Sequence, residues 1–146
     1  MFEIHIDEKR RLYIYILRDR RDNNLIKVGY SKNPFKRVKQ LYNTSTALPM
    51  GFYQIWWVDD MALAEKAAHT CLEGHRINPR REFFEIAPLP DFDDFERTDY
   101  ETTCVYLDTL IEVIENGFYT LELNYMSVDI DKLYQLYLDQ GDLNLE

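Results

Sequence analysis

The 146-residue chain is long enough for one domain, or for one domain with an appendage. Hydrophobic residues make up 46% of the chain and aromatic residues 14%, which excludes a disordered protein. The net charge of −9 is unevenly distributed: residues 1–86 hold 15 Lys and Arg against 11 Asp and Glu, whereas residues 87–146 hold 2 against 15. The acidic total therefore hides a basic first part.

Two features that the sequence lacks bear on the location of the protein and on the state of its cysteines. The N-terminal residues lack an apolar run of the length that a signal peptide or a membrane span requires, which predicts an intracellular, cytoplasmic protein with no membrane partner. The cysteines, Cys71 and Cys104, lack the close spacing of metal ligands. They predict two reduced thiols rather than a disulfide.

Alternating apolar and polar residues predict a leading strand over residues 1–7 and a hairpin after it. Residues 12–17 alternate in a strand-like manner, and a second apolar run follows at residues 25–30. The polar residues 18–24 between them predict the hairpin loop.

The pairing of the two predicted strands decides which side chains share a face. If Leu17 lies opposite Leu25, Tyr15 falls opposite Lys27. The two-residue period of a strand then places Tyr13, Tyr15 and Lys27 on one face of the sheet.

The next elements alternate between helix and strand. Gly29 permits a close approach of the backbone, and Asn33 and Pro34 predict the start of a helix to about residue 42. Arg37 lies at the edge of the apolar stripe of this helix. An inner strand is predicted over residues 52–58.

A second helix, beginning after Asp59 or Asp60 and ending at Gly74, carries Glu65 and His69 on the flank of its apolar stripe. A carboxylate at the margin of a packed face loses hydration unless a positive charge compensates. Two interpretations of Glu65 therefore stay open: a metal ligand, or an ordinary exposed glutamate.

Basic residues are concentrated between residues 9 and 39, where 11 Lys and Arg accompany 2 acidic residues. This concentration predicts either a surface that binds nucleic-acid phosphates or a solvated basic face. The candidate nucleic-acid-binding residues are Arg18, Arg20, Arg21, Lys36, Lys39, Arg80 and Arg81.

Residues 87–97 combine prolines and aspartates and predict a linker. The acidic residues 98–146 that follow predict a helix closed by Gly117, a strand over 118–126 and a final helix over about 130–140. Three roles for this extension stay open: a solvated accessory subdomain, a surface for a protein partner, or a negatively charged lid over the basic part.

Together these patterns predict an α+β protein. A small, mostly antiparallel central sheet flanked by helices occupies residues 1–86, the linker residues 87–97, and an acidic helix-strand-helix extension residues 98–146.

Five features of the first 86 residues carry a resemblance to a known family. They are Tyr13-Ile14-Tyr15, Lys27-Val28-Gly29, Arg37, Glu65 and the segment REFFEI at residues 81–86. Their order and spacing resemble the GIY-YIG nuclease superfamily, in particular its short phage and bacterial branch whose second motif begins with Lys. The resemblance implies a GIY-YIG-like fold and a metal-dependent endonuclease that hydrolyses the phosphodiester bonds of DNA.

The resemblance also implies roles for single residues. Glu65 would hold one Mg²⁺ or Mn²⁺ ion, Arg37 would bind the scissile phosphate, and Tyr15 would take the proton from the attacking water. The remaining candidate catalytic residues are Tyr13, Lys27 and His69.

Two positions depart from the family pattern: Lys27 replaces a tyrosine, and Leu41 replaces a histidine. The departures leave an alternative open. In it, the chain is a catalytically inactive module that binds nucleic acid or protein and is regulated by its acidic C-terminal part.

Overall fold

The structure, a computed structural model, describes residues 12–41, 50–77 and 83–141. The leading strand predicted over residues 1–7 lies outside these ranges. The described elements, in chain order, are β1 (Tyr13–Asp19), β2 (Leu25–Ser31), α1 (Pro34–Leu41), β3 (Met50–Val58), α2 (Met61–Cys71), a 3₁₀ turn (Glu73–His75), β4 (Phe83–Glu85), α3 (Asp94–Thr98), α4 (Tyr100–Thr120), β5 (Tyr125–Ser127) and α5 (Ile130–Asp139).

The five strands form one sheet in the order β4-β2-β1-β3-β5, and every neighbouring pair is antiparallel. The central strand β1 is buried along its whole length because it has neighbours on both edges and helices on both faces. The predicted α+β class, with a small antiparallel sheet flanked by helices, is confirmed.

Each face of the sheet is covered by a different pair of helices. The α2/α4 face presents aliphatic and aromatic side chains from four strands to the alanine-rich stripe of α2 and to α4; its sheet residues include Ile14, Ile16, Val28, Trp56 and Phe84. The α1/α5 face presents Tyr13, Tyr15, Leu17 and Ile55 to the buried residues of α1 and α5. The alternation of side chains along β1 is what separates the two clusters.

The hairpin differs from the predicted register by two residues. Leu17 lies opposite Lys27, and Tyr15 lies opposite Gly29. A shift of two keeps every side chain on its predicted face, so the prediction that Tyr13, Tyr15 and Lys27 share a face is confirmed. The prediction that the loop begins at residue 18 is wrong, because β1 continues to Asp19.

The largest difference from the predicted elements occurs at residue 117. The sequence predicts that Gly117 ends a helix and that a strand begins at residue 118, whereas α4 continues to Thr120. The glycine serves a close approach of two helices: a Cβ added at residue 117 would lie 3.3 Å from Cys71 Sγ of α2. Phe118 then packs against Trp56, with ring centroids 5.4 Å apart.

Residues beyond the predicted linker are part of both apolar clusters, since α4 packs against α2 and α5 packs on the opposite face. The segment 87–97 is also held to the sheet, because Arg97 binds Glu85 at 2.7 Å. The division of the chain at residues 87–97 stays a prediction. No helix within the described residues is long and apolar enough to cross a membrane.

Candidate functional site

A cavity of about 330 Å³ opens beside β2, where this strand meets the first turns of α1 and α2. It brings together three of the predicted catalytic residues, which come from β1, β2 and α1. The residues that line it are Tyr15, Lys27, Gly29, Tyr30, Ser31, Lys32, Arg37 and Met61. We call this space the β2 cavity.

The Tyr15 ring lies directly over the backbone of Gly29. A Cβ added at Gly29 would lie 2.6 Å from both Cζ and Oη of Tyr15, so a larger residue would occupy the space of the phenol. Tyr15 is only 2% exposed, and its ring packs edge-on against Phe52 at 5.6 Å. The phenol is therefore fixed in place at the cavity wall by its neighbours.

Three cations line the β2 cavity, and none of its lining residues carries a carboxylate. Lys27 is half-buried, with its Nζ 5.6 Å from the centroid of the Phe83 ring, whereas Lys32 and Arg37 are exposed. Within the described residues, none of the three forms an ion pair. Their positive charge is thus available to an anion that enters the cavity.

A short polar turn sets the positions of two of these cations. The Ser31 hydroxyl accepts a hydrogen bond from the Asn33 backbone at 3.0 Å, and the Asn33 side chain accepts one from the Lys36 backbone at 3.1 Å. The second bond caps the N-terminus of α1, as the sequence predicts for Asn33 and Pro34. The turn places Lys32 before the helix and Arg37 one turn into it.

Glu65 and His69 lie together on α2, and neither of them lines the β2 cavity. Met61, which lines the β2 cavity, precedes Glu65 by one helical turn, but Glu65 itself does not line it. Glu65 Oε1 lies 3.7 Å from His69 Nε2, and Arg76 Nη2 lies 3.1 Å from His69 Nδ1. Because arginine only donates, His69 Nδ1 is the acceptor in its contact with Arg76, and Nε2 is the ring nitrogen nearer to Glu65.

The donor set at Glu65 fits only one kind of metal site. Within the described residues, no group of three or more His, Cys, Asp or Glu side chains is arranged to hold a metal ion. A single carboxylate suits Mg²⁺ or Mn²⁺ when water and substrate phosphate supply the other ligands. A closed structural zinc site would need four protein ligands and does not fit.

Arg18 has a different place from the one predicted. It lies in β1, is 6% exposed and donates to Cys104 Sγ at 2.8 Å. Its guanidinium also donates to Thr103 Oγ1 and lies 4.4 Å from the centroid of the Tyr100 ring. Arg18 therefore fastens the sheet to α4, and its burial corrects the prediction that it is a nucleic-acid contact on an exposed loop.

The remaining predicted basic contacts lie at separate places. Arg20 and Arg21 are exposed in the hairpin loop, where Arg21 is 3.5 Å from Asp19. Lys36 is half-buried and Lys39 exposed, and neither lines the β2 cavity. The other two predicted contacts, Arg80 and Arg81, lie outside the described residues.

Tyr13 shares the α1/α5 face with Tyr15 and is 3% exposed, but it packs in the core and does not line the β2 cavity. The structure in turn adds lining residues that the sequence interpretation missed, above all Lys32. The available signal for Lys32 was its place directly after the strand that carries Lys27 and Gly29. Met61 gave no signal, because it occupies an ordinary first turn of a helix.

Comparison with known families matches the chain to the T5orf172 domain over residues 12–115. The chain belongs to the T5orf172 domain family. This match overturns the resemblance to the GIY-YIG nuclease superfamily, since the T5orf172 domain is a distinct family. Roles that only the resemblance implied therefore have no support from the family match.

The T5orf172 match includes every residue that lines the β2 cavity and ends within α4. It passes through the predicted linker and stops before β5 and α5. No match to a curated protein or to a solved structure was found.

Proposed function

We propose that this protein binds the phosphodiester backbone of DNA in the β2 cavity and hydrolyses it as a metal-dependent endonuclease. The observation that supports the proposal is a cavity lining that holds three cations, no acidic residue and the buried phenol of Tyr15. Guanidinium and ammonium groups are the side chains that bind phosphate oxygens. A cavity of this composition favours a phosphate ester over a neutral or cationic ligand.

The spacing of the two lysines favours a polymer over a single phosphate. Lys27 and Lys32 are five residues apart along β2 and its end, which is roughly 16 Å at the rise of an extended strand. Positive charge spread over such a length matches successive phosphates of one strand better than one isolated anion.

Each residue of the site has a separate proposed role in hydrolysis. Arg37 holds the scissile phosphate and offsets the negative charge that grows on it in the transition state, while Lys27 and Lys32 hold phosphates along the same strand. The Tyr15 hydroxyl orients the attacking water by hydrogen bonding. Glu65 would hold a Mg²⁺ or Mn²⁺ ion, which supplies Lewis-acid stabilisation of the phosphate. His69, whose Nε2 lies 3.7 Å from Glu65 Oε1, would limit the movement of the Glu65 carboxylate.

Supercoiled plasmid DNA incubated with the protein and Mg²⁺ or Mn²⁺ tests this proposal. We expect nicking that requires the metal and is lost in Glu65→Ala, while Tyr15→Phe lowers nicking more than binding. Lys27→Met and Arg37→Met should each weaken binding and reduce the salt dependence by about 0.9 in log–log slope. Lys66→Met is the matched control, because Lys66 is exposed on α2 and does not line the β2 cavity.

One observation favours a second function, the binding of DNA without turnover: Glu65 lies outside the lining of the β2 cavity. In that case DNA is retained and the two cation variants still weaken binding, but no metal produces nicks. A wild-type protein that neither binds nor nicks DNA would refute both functions. The acidic segment 98–146 as a docking surface for a protein partner stays a prediction.

A further inference from the structure

The C-terminal helix α5 reaches the β2 cavity through one buried side chain. Tyr137 is 0% exposed, and its hydroxyl donates a hydrogen bond of 2.9 Å to the backbone carbonyl of Lys32. The two residues are 105 positions apart in the sequence. Lys32 lies in the turn between β2 and α1 and contributes one of the three cations of the cavity.

The same helix also holds the first turn of α1. Phe35 packs edge-on against two rings of α5, with its ring centroid 5.2 Å from that of Tyr134 and 5.8 Å from that of Tyr137. Phe35 precedes Arg37 by two residues. Two of the cavity's cations therefore extend from a stretch of backbone that α5 fixes by a hydrogen bond and by aromatic packing.

The local hydrogen bonds within the turn and the long-range bond from Tyr137 fix different parts of the structure. The Ser31 and Asn33 side chains fix the turn relative to itself and to α1. The bond from Tyr137 fixes it relative to the α1/α5 face, on which Tyr15 lies. Loss of the Tyr137 hydroxyl would allow Lys32 to move relative to the phenol while the turn keeps its internal bonds.

We propose that Tyr137 is a positioning residue for phosphate binding. Helix α5 therefore belongs to the site, because it fixes the backbone of Lys32, although it lies beyond the T5orf172 match. The inference depends on the proposed function of the β2 cavity. It assigns the last helix of the acidic extension to support of the cavity, in place of a separate accessory subdomain.

Tyr137→Phe is the test, because it removes the hydroxyl and keeps the ring that packs on Phe35. Tyr134→Phe is the matched control on the same helix: its ring also packs on Phe35, and within the described residues its hydroxyl makes no hydrogen bond. Binding of a fluorescent DNA duplex is measured by anisotropy at several salt concentrations, below the unfolding temperature of each variant. We expect Tyr137→Phe to weaken binding by about threefold to tenfold, the effect of one net hydrogen bond.

Two readouts separate positioning from general destabilisation. Tyr137→Phe changes no charge, so a reduction of the salt slope by up to about 0.9 reports that Lys32 has left the phosphate. The effect should also vanish in a Lys32→Met background, where there is no ammonium left to position. A loss that persists in that background, with an unchanged slope, would show a structural role and overturn the inference.

The remaining outcomes distinguish this inference from the proposed function. If the wild type binds DNA and Lys32→Met weakens it, but Tyr137→Phe matches Tyr134→Phe, the inference is overturned and the function stands. If the wild type binds no DNA, the proposed function fails, and the inference fails with it.

Discussion

Gly29→Ala is the change that most directly tests the arrangement of the β2 cavity. The added Cβ would lie 2.6 Å from Cζ and Oη of Tyr15 and 2.7 Å from Cε2. Carbon atoms in contact are normally about 3.5–4.0 Å apart, so the ring or the strand has to move by roughly 1 Å. The ring cannot simply turn outward, because Tyr15 is 2% exposed and packs against Phe52.

The expected cost is that of an overpacked core, about 1–3 kcal/mol of unfolding free energy. For a chain of this size, each kcal/mol lowers the melting temperature by about 2–8 °C. Gly74→Ala is the matched control. A Cβ added at Gly74 meets no atom within 4 Å, while the change in unfolded-chain entropy is the same.

Thermal unfolding followed by circular dichroism measures the difference between the two alanine variants. We expect Gly29→Ala to melt lower and Gly74→Ala to melt at or slightly above the wild-type temperature. In a Tyr15→Val background, which removes the ring, Gly29→Ala should become nearly neutral. Equal melting temperatures for Gly29→Ala and the wild type would refute the close contact, and with it the placement of the phenol in the β2 cavity.

Three other predictions concern parts of the fold that support the site. In denaturant titrations, Arg18→Met should lower the unfolding free energy by about 2 kcal/mol, because buried oxygens lose a charged donor. Arg21→Met is the control: this side chain is 76% exposed, and its loss should change the unfolding free energy by less than about 0.5 kcal/mol. Asn24→Ala should cost about 2–4 kcal/mol in the same titrations, because Asn24 is 5% exposed and its amide hydrogen-bonds buried backbone groups that would lose their partner. Burial, and then a 2.6 Å hydrogen bond to Asp108, raise the pKa of the Tyr53 phenol above its ordinary 10.0. The stability that results from this raised pKa is fully present below about pH 10 and is lost at higher pH. Between pH 9 and 11 the melting temperature should therefore fall less steeply in Tyr53→Phe than in the wild type. An equally steep fall in both proteins would contradict this prediction.

Local periodicity was enough to predict which face of the sheet each side chain of the hairpin occupies. It was not enough to predict the register, because polar composition alone set the predicted loop. Arg18 illustrates the reason. A charged residue at the end of an apolar run indicates a loop, but its partner Cys104 is 86 residues away in the sequence and keeps it inside the strand.

Gly117 was misinterpreted for a related reason. A glycine near the end of an apolar helical stripe is typical of a C-cap, and this local rule predicts a helix end. The structure uses the missing side chain for contact with Cys71, which belongs to a helix about 45 residues earlier in the chain. A single sequence offers no signal that separates these two uses of glycine.

The candidate site was predicted in part. Tyr15, Lys27 and Arg37 do meet in one cavity, as their order on strand, strand and helix suggested. Lys32 was missed because a lysine in a turn is usually only solvated, and its backbone contact with Tyr137 joins residues 105 positions apart. Glu65 was predicted on the flank of α2 and is found there, one turn away from the cavity lining.

The net charge of −9 does not describe the local charge around the β2 cavity. The β2 cavity gathers three cations and no acid, although the chain holds more acidic than basic residues. The acidic C-terminal segment reaches the same site by its apolar and aromatic side, through the buried Tyr137 and Leu133, with its charged residues exposed elsewhere on α5. Helix α5 can therefore support the proposed phosphate-binding site without placing a carboxylate in its lining. If α5 acts in this way, neutralising the exposed Asp131 and Asp139 should leave DNA affinity nearly unchanged at physiological salt, because exposed charges are largely screened there, whereas removal of one buried hydroxyl should weaken it.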